Sequence, residues 1–134
     1  MGLDMYLRGR KRYWHYDNEM NNLTEDGYPI ISTELDLGYW RKHPNLHGYI
    51  VKTFADGNDD CTPINLSLDR LNMLISAVRN DLLVPTTGFF FGKSDNSEEQ
   101  KARDLMLLVN ARYWLNLQPK SNELNYEVYY LASW

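Results

Sequence analysis

Cysteine is nearly missing from this chain. Cys61 is the only one among 134 residues, so no disulfide can close within it. That suits a reducing compartment, and the expected location is the cytoplasm. Long apolar runs are missing too. Leu105-Met106-Leu107-Leu108-Val109 is the longest, far too short to cross a bilayer, so no membrane partner is expected. The opening MGLDMYL has no basic stretch ahead of an apolar one and does not read as a signal peptide. Tyr6 stands where a myristoylation pattern needs Ser or Thr. Charge of one sign is scarce: 14 Lys and Arg face 18 Asp and Glu, for a net of −4. That balance is too acidic for non-specific nucleic-acid binding and not acidic enough to imitate nucleic acid. The glycines match neither a phosphate loop nor a dinucleotide fingerprint, and no nucleophile elbow is present.

Rings are plentiful, with ten Tyr and four Trp. They supply large buried area and are favoured at interfaces. Leu3, Met5 and Leu7 alternate with Asp4, Tyr6 and Arg8, a period of two that predicts an opening strand reaching towards Trp14. The basic run Arg8-Gly9-Arg10-Lys11-Arg12 could meet phosphate or an acidic partner, but reads more simply as a solvated hairpin arm. Residues 17–29 are polar and rich in turn formers, a loop. A second strand follows from Ile30 to Trp40, with Leu35, Leu37 and Tyr39 on one face.

Pro44 fits the first turn of a helix, and Leu46, Ile50 and Phe54 recur every fourth residue after it. A helix is predicted over 44–55, stopped at Asp56-Gly57. A short strand is expected over Thr62 to Leu66. Ser67 then caps a helix carrying Leu68, Leu71, Ile75, Val78 and Leu82. Phe89-Phe90-Phe91 reads as a buried strand. Ser97-Glu98-Glu99-Gln100 matches a capping box, opening a helix to about Leu117 with Ala102, Leu105, Met106, Val109 and Tyr113 inward. Tyr126 to Trp134 is apolar on both faces, a central strand. The sum is one α+β domain over residues 1–134, a mainly antiparallel sheet of about five strands with three helices packed on it.

Chemistry is sparse. His43 and His47 have the spacing of two metal ligands on one helical face, but no third ligand follows at a diagnostic distance, so no metal is expected. The acidic turn Asp56-Gly57-Asn58-Asp59-Asp60 fails the calcium-loop register, because Cys61 sits where Gly is needed. No cofactor and no catalytic residue is assigned. A Cys61–His47 dyad is formally available, though neighbouring acids disfavour the thiolate. The sharper expectation is a binding site at the start of the first helix. There the amides of Asn45, Leu46 and His47 lack intrahelical partners and Arg41 and Lys42 precede them, a place for phosphate or carboxylate. Tyr39 or Trp40 would add stacking. The plainer and favoured reading makes Trp40 core, His47 a hydrogen-bonded, half-buried residue, and Arg41 and Lys42 solvated or paired with Asp residues. The candidate ligand- or partner-binding residues are Tyr39, Trp40, Arg41, Lys42 and His47.

Five motifs carry a family resemblance: MGLDMYL at the start, YWRK at 39–42 with His47 after it, Cys61 before a short strand, LVPTTGFFFG at 83–92, and YYLASW at the end. In this order they resemble a family of small phage and prophage proteins. The chain departs from that pattern after GFFFG, where KSDNSEEQ replaces a tyrosine-rich stretch, and the segment 17–29 is longer. The resemblance implies a phage setting within a bacterial host, and no catalytic assignment. The leading expectation is therefore an accessory protein that binds a bacterial host protein, with host defence among its targets, through an aromatic and charged surface. Homodimerisation through an edge strand or a tyrosine-rich face is also expected. The alternatives are a binder of a small anionic nucleotide-like ligand at Tyr39, Arg41, Lys42 and His47, and an enzyme using His47 and Cys61.

Overall fold

A computed structural model describes residues 2–13, 24–88, 91–118 and 126–134. It is an α+β structure whose described strands are β1 (Asp4–Arg12), β2 (Ser32–Arg41), β3 (Ile64–Asn65) and β4 (Tyr126–Ser133). Its helices are α1 (Pro44–Phe54), α2 (Leu68–Arg79) and α3 (Glu98–Asn116). All strand pairs are antiparallel, in the order β2-β1-β4-β3. β1 and β4 are thus central, as the two-faced apolar pattern of β4 requires.

Four strands form among the described residues, where about five were expected. Phe89 and Phe90 lie outside the described residues. Phe91 is buried but not in a strand, because its amide turns back to the Gly88 carbonyl at 3.1 Å. A Cβ on Gly88 would fall 2.3 Å from the Phe91 ring, so only glycine permits that fold-back.

One face of the sheet holds the core. Leu3, Met5 and Leu7 of β1, Trp40 of β2, and Val128, Tyr130 and Ala132 of β4 form one buried cluster with Leu46 and Ile50 of α1, Leu71, Leu74 and Ile75 of α2, and Leu108 and Ala111 of α3. α3 lies close against the strands: a Cβ on Gly38 would sit 3.2 Å from Leu107. The register shifts between Leu7 and Arg8, where Leu37 is skipped opposite β1. This bulge changes the phase of β2. Leu35 and Leu37 are half-buried, but beyond the bulge Gly38 and Trp40 turn inward and Tyr39 points out. Tyr39 therefore does not share a face with Leu35 as alternation alone predicts.

Two helical faces also need correction. Leu82 follows the end of α2 and is 60% exposed. In α3 the buried residues are Asp104, Leu108 and Ala111, while Ala102, Met106 and Tyr113 face solvent. Apolar and polar side chains are mixed around this helix, so its pattern does not single out the core face. The acid that should have marked the outside is inside, satisfied by hydrogen bonds.

Candidate functional site

The chain leaves β2 and enters α1 through Lys42, whose φ is 55°, with its amide bonded to the Leu3 carbonyl at 2.8 Å. That turn carries His43 into the core, 4% exposed, just ahead of Pro44 in the first turn of α1. His43 offers no cap of its own. Ser94, from the loop before α3, supplies it: the Asn45 amide donates to Ser94 Oγ at 3.0 Å. The Asn45 side chain accepts from the Thr86 amide at 2.9 Å, which ties in the second loop. Thr86 comes so close to α1 that a Cβ on Gly48 would lie 2.2 Å from its hydroxyl.

His43 then joins a buried network. Its Nδ1 is 2.8 Å from Ser94 Oγ and its Nε2 2.8 Å from Asp104 Oδ2. Asp104 Oδ1 accepts from Trp40 Nε1 at 2.8 Å and from Gln100 Nε2 at 2.7 Å. One assignment satisfies every group: Ser94 O–H donates to Nδ1, and Nε2–H donates to Asp104. Ser94, His43 and Asp104 are connected in the order of a hydrolase triad. The serine oxygen also serves as the cap of α1, however, so this arrangement fastens the α3 approach loop to the helix start. A cavity of about 240 Å³ adjoins it, with His43, Asn45 and Asp104 in its wall and the Lys101–Asp81 ion pair at its side.

The expected capping box at α3 is half present. Ser97 Oγ accepts from the Gln100 amide at 3.1 Å. The Gln100 side chain does not return to the cap, because Asp95 already takes the Ser97 amide at 3.0 Å. It turns forward to Asp104 instead.

His47 lies one turn along α1 and is 1% exposed. Its Nδ1 is 2.6 Å from the Tyr130 hydroxyl, and its Nε2 is 2.9 Å from Asp59 Oδ2. Burial, with lesser contributions from Asp59 and Cys61, pushes the Tyr130 hydroxyl well above its ordinary pKa. It therefore keeps its proton and donates to Nδ1, leaving Nε2–H for Asp59. Trp134 Nε1 also donates to Asp59, at 3.2 Å. The Phe91 ring meets His47 edge-on at 5.2 Å and Trp134 at 5.9 Å.

These contacts place the candidate residues on two sides of the sheet. Trp40 and His47 are core residues, 2% and 1% exposed. Tyr39, Arg41 and Lys42 are exposed. The helix start is not an open cradle for an anion: the Asn45 amide bonds to Ser94, the His47 amide returns to the His43 carbonyl at 3.2 Å, and residues 44–47 are buried. Both ring nitrogens of His47 are engaged, so none is left for Cys61, which is exposed. Among the described residues no three His, Cys, Asp or Glu side chains are grouped to hold a metal. The sequence reading missed Ser94, Asp104, Asp59 and Tyr130 as histidine partners. None of them carried a local signal: Asp104 follows the charged run Glu98 to Arg103 and reads like one more exposed acid before the apolar run at Leu105.

Tyr39 and Arg41 belong to the face of the sheet that bears no helix among the described residues. There β1 presents Asp4, Tyr6, Arg8, Arg10 and Arg12 between acid-rich neighbours. Arg10 pairs with Glu34 and Glu127, both at 2.9 Å, Arg12 with Glu127 at 3.2 Å, and Arg41 with Asp4 at 3.1 Å. Arg10 covers the Tyr129 ring, and Arg8 lies over Tyr6 at 4.8 Å. Tyr6 and Tyr39 are 5.5 Å apart, and the Tyr39 hydroxyl donates to Asp4. The basic run is thus largely neutralised across the strands.

The chain matches no family model, no curated protein and no solved structure.

Proposed function

We propose that this protein acts by binding a protein of the bacterial host, with host defence as the target class, in the phage setting that its motifs imply. The open sheet face is the contact surface. The observation that supports this reading is its composition: Tyr6 and Tyr39 side by side, Arg8 stacked above Tyr6, and a rim of paired charges. Tyrosine and arginine dominate the energetic centres of protein interfaces, and ringed charges fix register. A nucleic acid would want cations left free for phosphate, whereas Arg10, Arg12 and Arg41 each face a carboxylate.

The test is affinity capture from host lysate with the wild-type chain and an Arg8→Glu/Tyr39→Ala chain in parallel. Both side chains lie outside the core, so the variant should remain folded, melting only modestly below the wild type. The reading expects a host protein held by the wild type and lost by the variant. Equal capture by both chains, or none by either across several hosts, overturns it.

A further inference from the structure

The open sheet face is ordered in rows across the strands, and the rows differ in what they leave unspent. Arg41, Asp4 and Ser133 stand abreast at one end, and Tyr39, Tyr6 and Leu131 form the next row. Arg8 follows, between Asp36 and Tyr129, and then Arg10, between Glu34 and Glu127. The outer two of these four rows are ionically complete: Arg41 has Asp4, and Arg10 has both glutamates. The Arg8 row is not. Its guanidinium lies 4.8 Å from the centre of the Tyr6 ring, and among the described residues it makes no hydrogen bond and no ion pair. Two acids of β2 stand near it, and both are spent elsewhere. Asp36, opposite Arg8, turns Oδ1 back to the Gly38 amide at 3.2 Å. Glu34 lies in the field of Arg8, but its Oε1 accepts from both Nε and Nη2 of Arg10.

We propose that the partner docked on this face supplies one Asp or Glu side chain to Arg8, beside an apolar side chain that packs on the row of Tyr39, Tyr6 and Leu131. This inference rests on the sheet-face reading above and names the partner's chemistry. A guanidinium presents its donors as a planar fork that matches a carboxylate. Stacking on Tyr6 orients that fork in advance, so little freedom is lost when it is filled. The neighbouring row is the apolar ground: Tyr6 and Leu131 are half-buried, and Tyr39 is exposed. Successive rows on one face are about 7 Å apart along a strand, which sets the separation of the partner's acid from its apolar side chain. One negative charge fits better than two. Glu34 and Asp36 stand beside the fork, and a phosphate dianion would meet twice their repulsion.

Selection from a library of displayed random peptides tests it, run in parallel on the immobilised wild-type chain and on Arg8→Glu. Peptides held by the wild type should share an Asp or Glu beside an apolar residue. Their affinity should fall at least about tenfold for Arg8→Gln, with unchanged circular dichroism. Changing the shared acid to its amide should cost the same, and the two losses should not add. Peptides held by Arg8→Glu should carry Lys or Arg instead. Selected peptides without an acid, equal binding to wild type and Arg8→Gln, or losses that add in full each overturn the proposal. So does a wild-type chain that retains no peptide. Peptides lost on Tyr39→Ala but kept on Arg8→Gln overturn the carboxylate alone and leave the sheet-face reading standing, since that reading falls on the lysate capture.

Discussion

His43 and His47 stand one helical turn apart on α1, and each has both ring nitrogens engaged by a hydroxyl and a carboxylate. Their surroundings differ. The His43 carboxylate, Asp104, is 3% exposed at its side chain, whereas Asp59, the His47 carboxylate, is 29% exposed. Asp104 gathers three side-chain donors, from His43, Trp40 and Gln100; Asp59 has His47 and an indole that is itself near solvent. A third carboxylate, Asp4, completes the series on the open sheet face, where it accepts from Tyr39 and Arg41. Each takes a hydrogen bond from an aromatic donor. What changes is water, and water sets how much each bond is worth.

Replacing Asp104 by Ala should therefore have the largest effect. It strands the buried Trp40 indole N–H and His43 imidazole and releases the half-buried Gln100 amide. Breaking a buried polar pair in this way costs about 3–5 kcal/mol. Urea unfolding monitored by tryptophan fluorescence would measure it. A loss below about 1 kcal/mol would mean that water reaches this network and that the contrast with Asp59 is false.

Tyr130→Phe comes next. It removes the donor to His47 Nδ1 and leaves a buried acceptor unpaired, a loss of about 1–3 kcal/mol at neutral pH. It also has a pH signature. The folded-state pKa of Tyr130 is raised above the ordinary value of 10.0, chiefly by burial. Its contribution to stability is thus complete below that value and is lost as pH rises beyond it, while the unfolded chain ionises and the folded one does not. Wild-type urea midpoints should fall between about pH 9 and about pH 11, and Tyr130→Phe should fall less steeply.

How far this arrangement was legible in the sequence follows from what each feature depends on. Helix α1 was readable because Pro44, the Leu46–Ile50 stripe and the Asp56-Gly57 stop are local signals. The strand character of β1 and the central place of β4 were readable from alternation. The Asp104 and Asp59 networks join residues 61 and 12 positions apart in the chain, and nothing local announces such pairing. The orientation of α3 was misread for a physical reason. With apolar side chains on both sides, only contact with Gly9, Gly38 and α2 decides which side turns inward. Tyr39 was misplaced because one bulged residue inverts the faces of everything after it.

Asp59→Asn should have a smaller effect than either change above. The amide oxygen can still accept from His47 Nε2–H, and water is at hand to replace what is lost. About 1 kcal/mol is expected from the same urea titration. A loss matching that of Asp104→Ala would show that exposure does not grade these networks.

The smallest effect belongs to Asp4, and only pH separates it from noise. The Tyr39 hydroxyl first, and Arg41 after it, hold the Asp4 carboxyl below its ordinary pKa of 3.8. A depressed folded-state pKa gives stability that is present above the unfolded value and lost as pH falls through the folded one. The melting temperature of Tyr39→Phe, which lacks the first of these interactions, should lie slightly below wild type near neutrality. The two should converge below about pH 4. Because solvent screens this carboxylate, added salt should shrink even that gap, whereas the Asp104→Ala deficit should not respond to salt. A salt-insensitive gap for Tyr39→Phe would mean that its ring is held by packing, and that the open face is less available to a partner than its exposure implies.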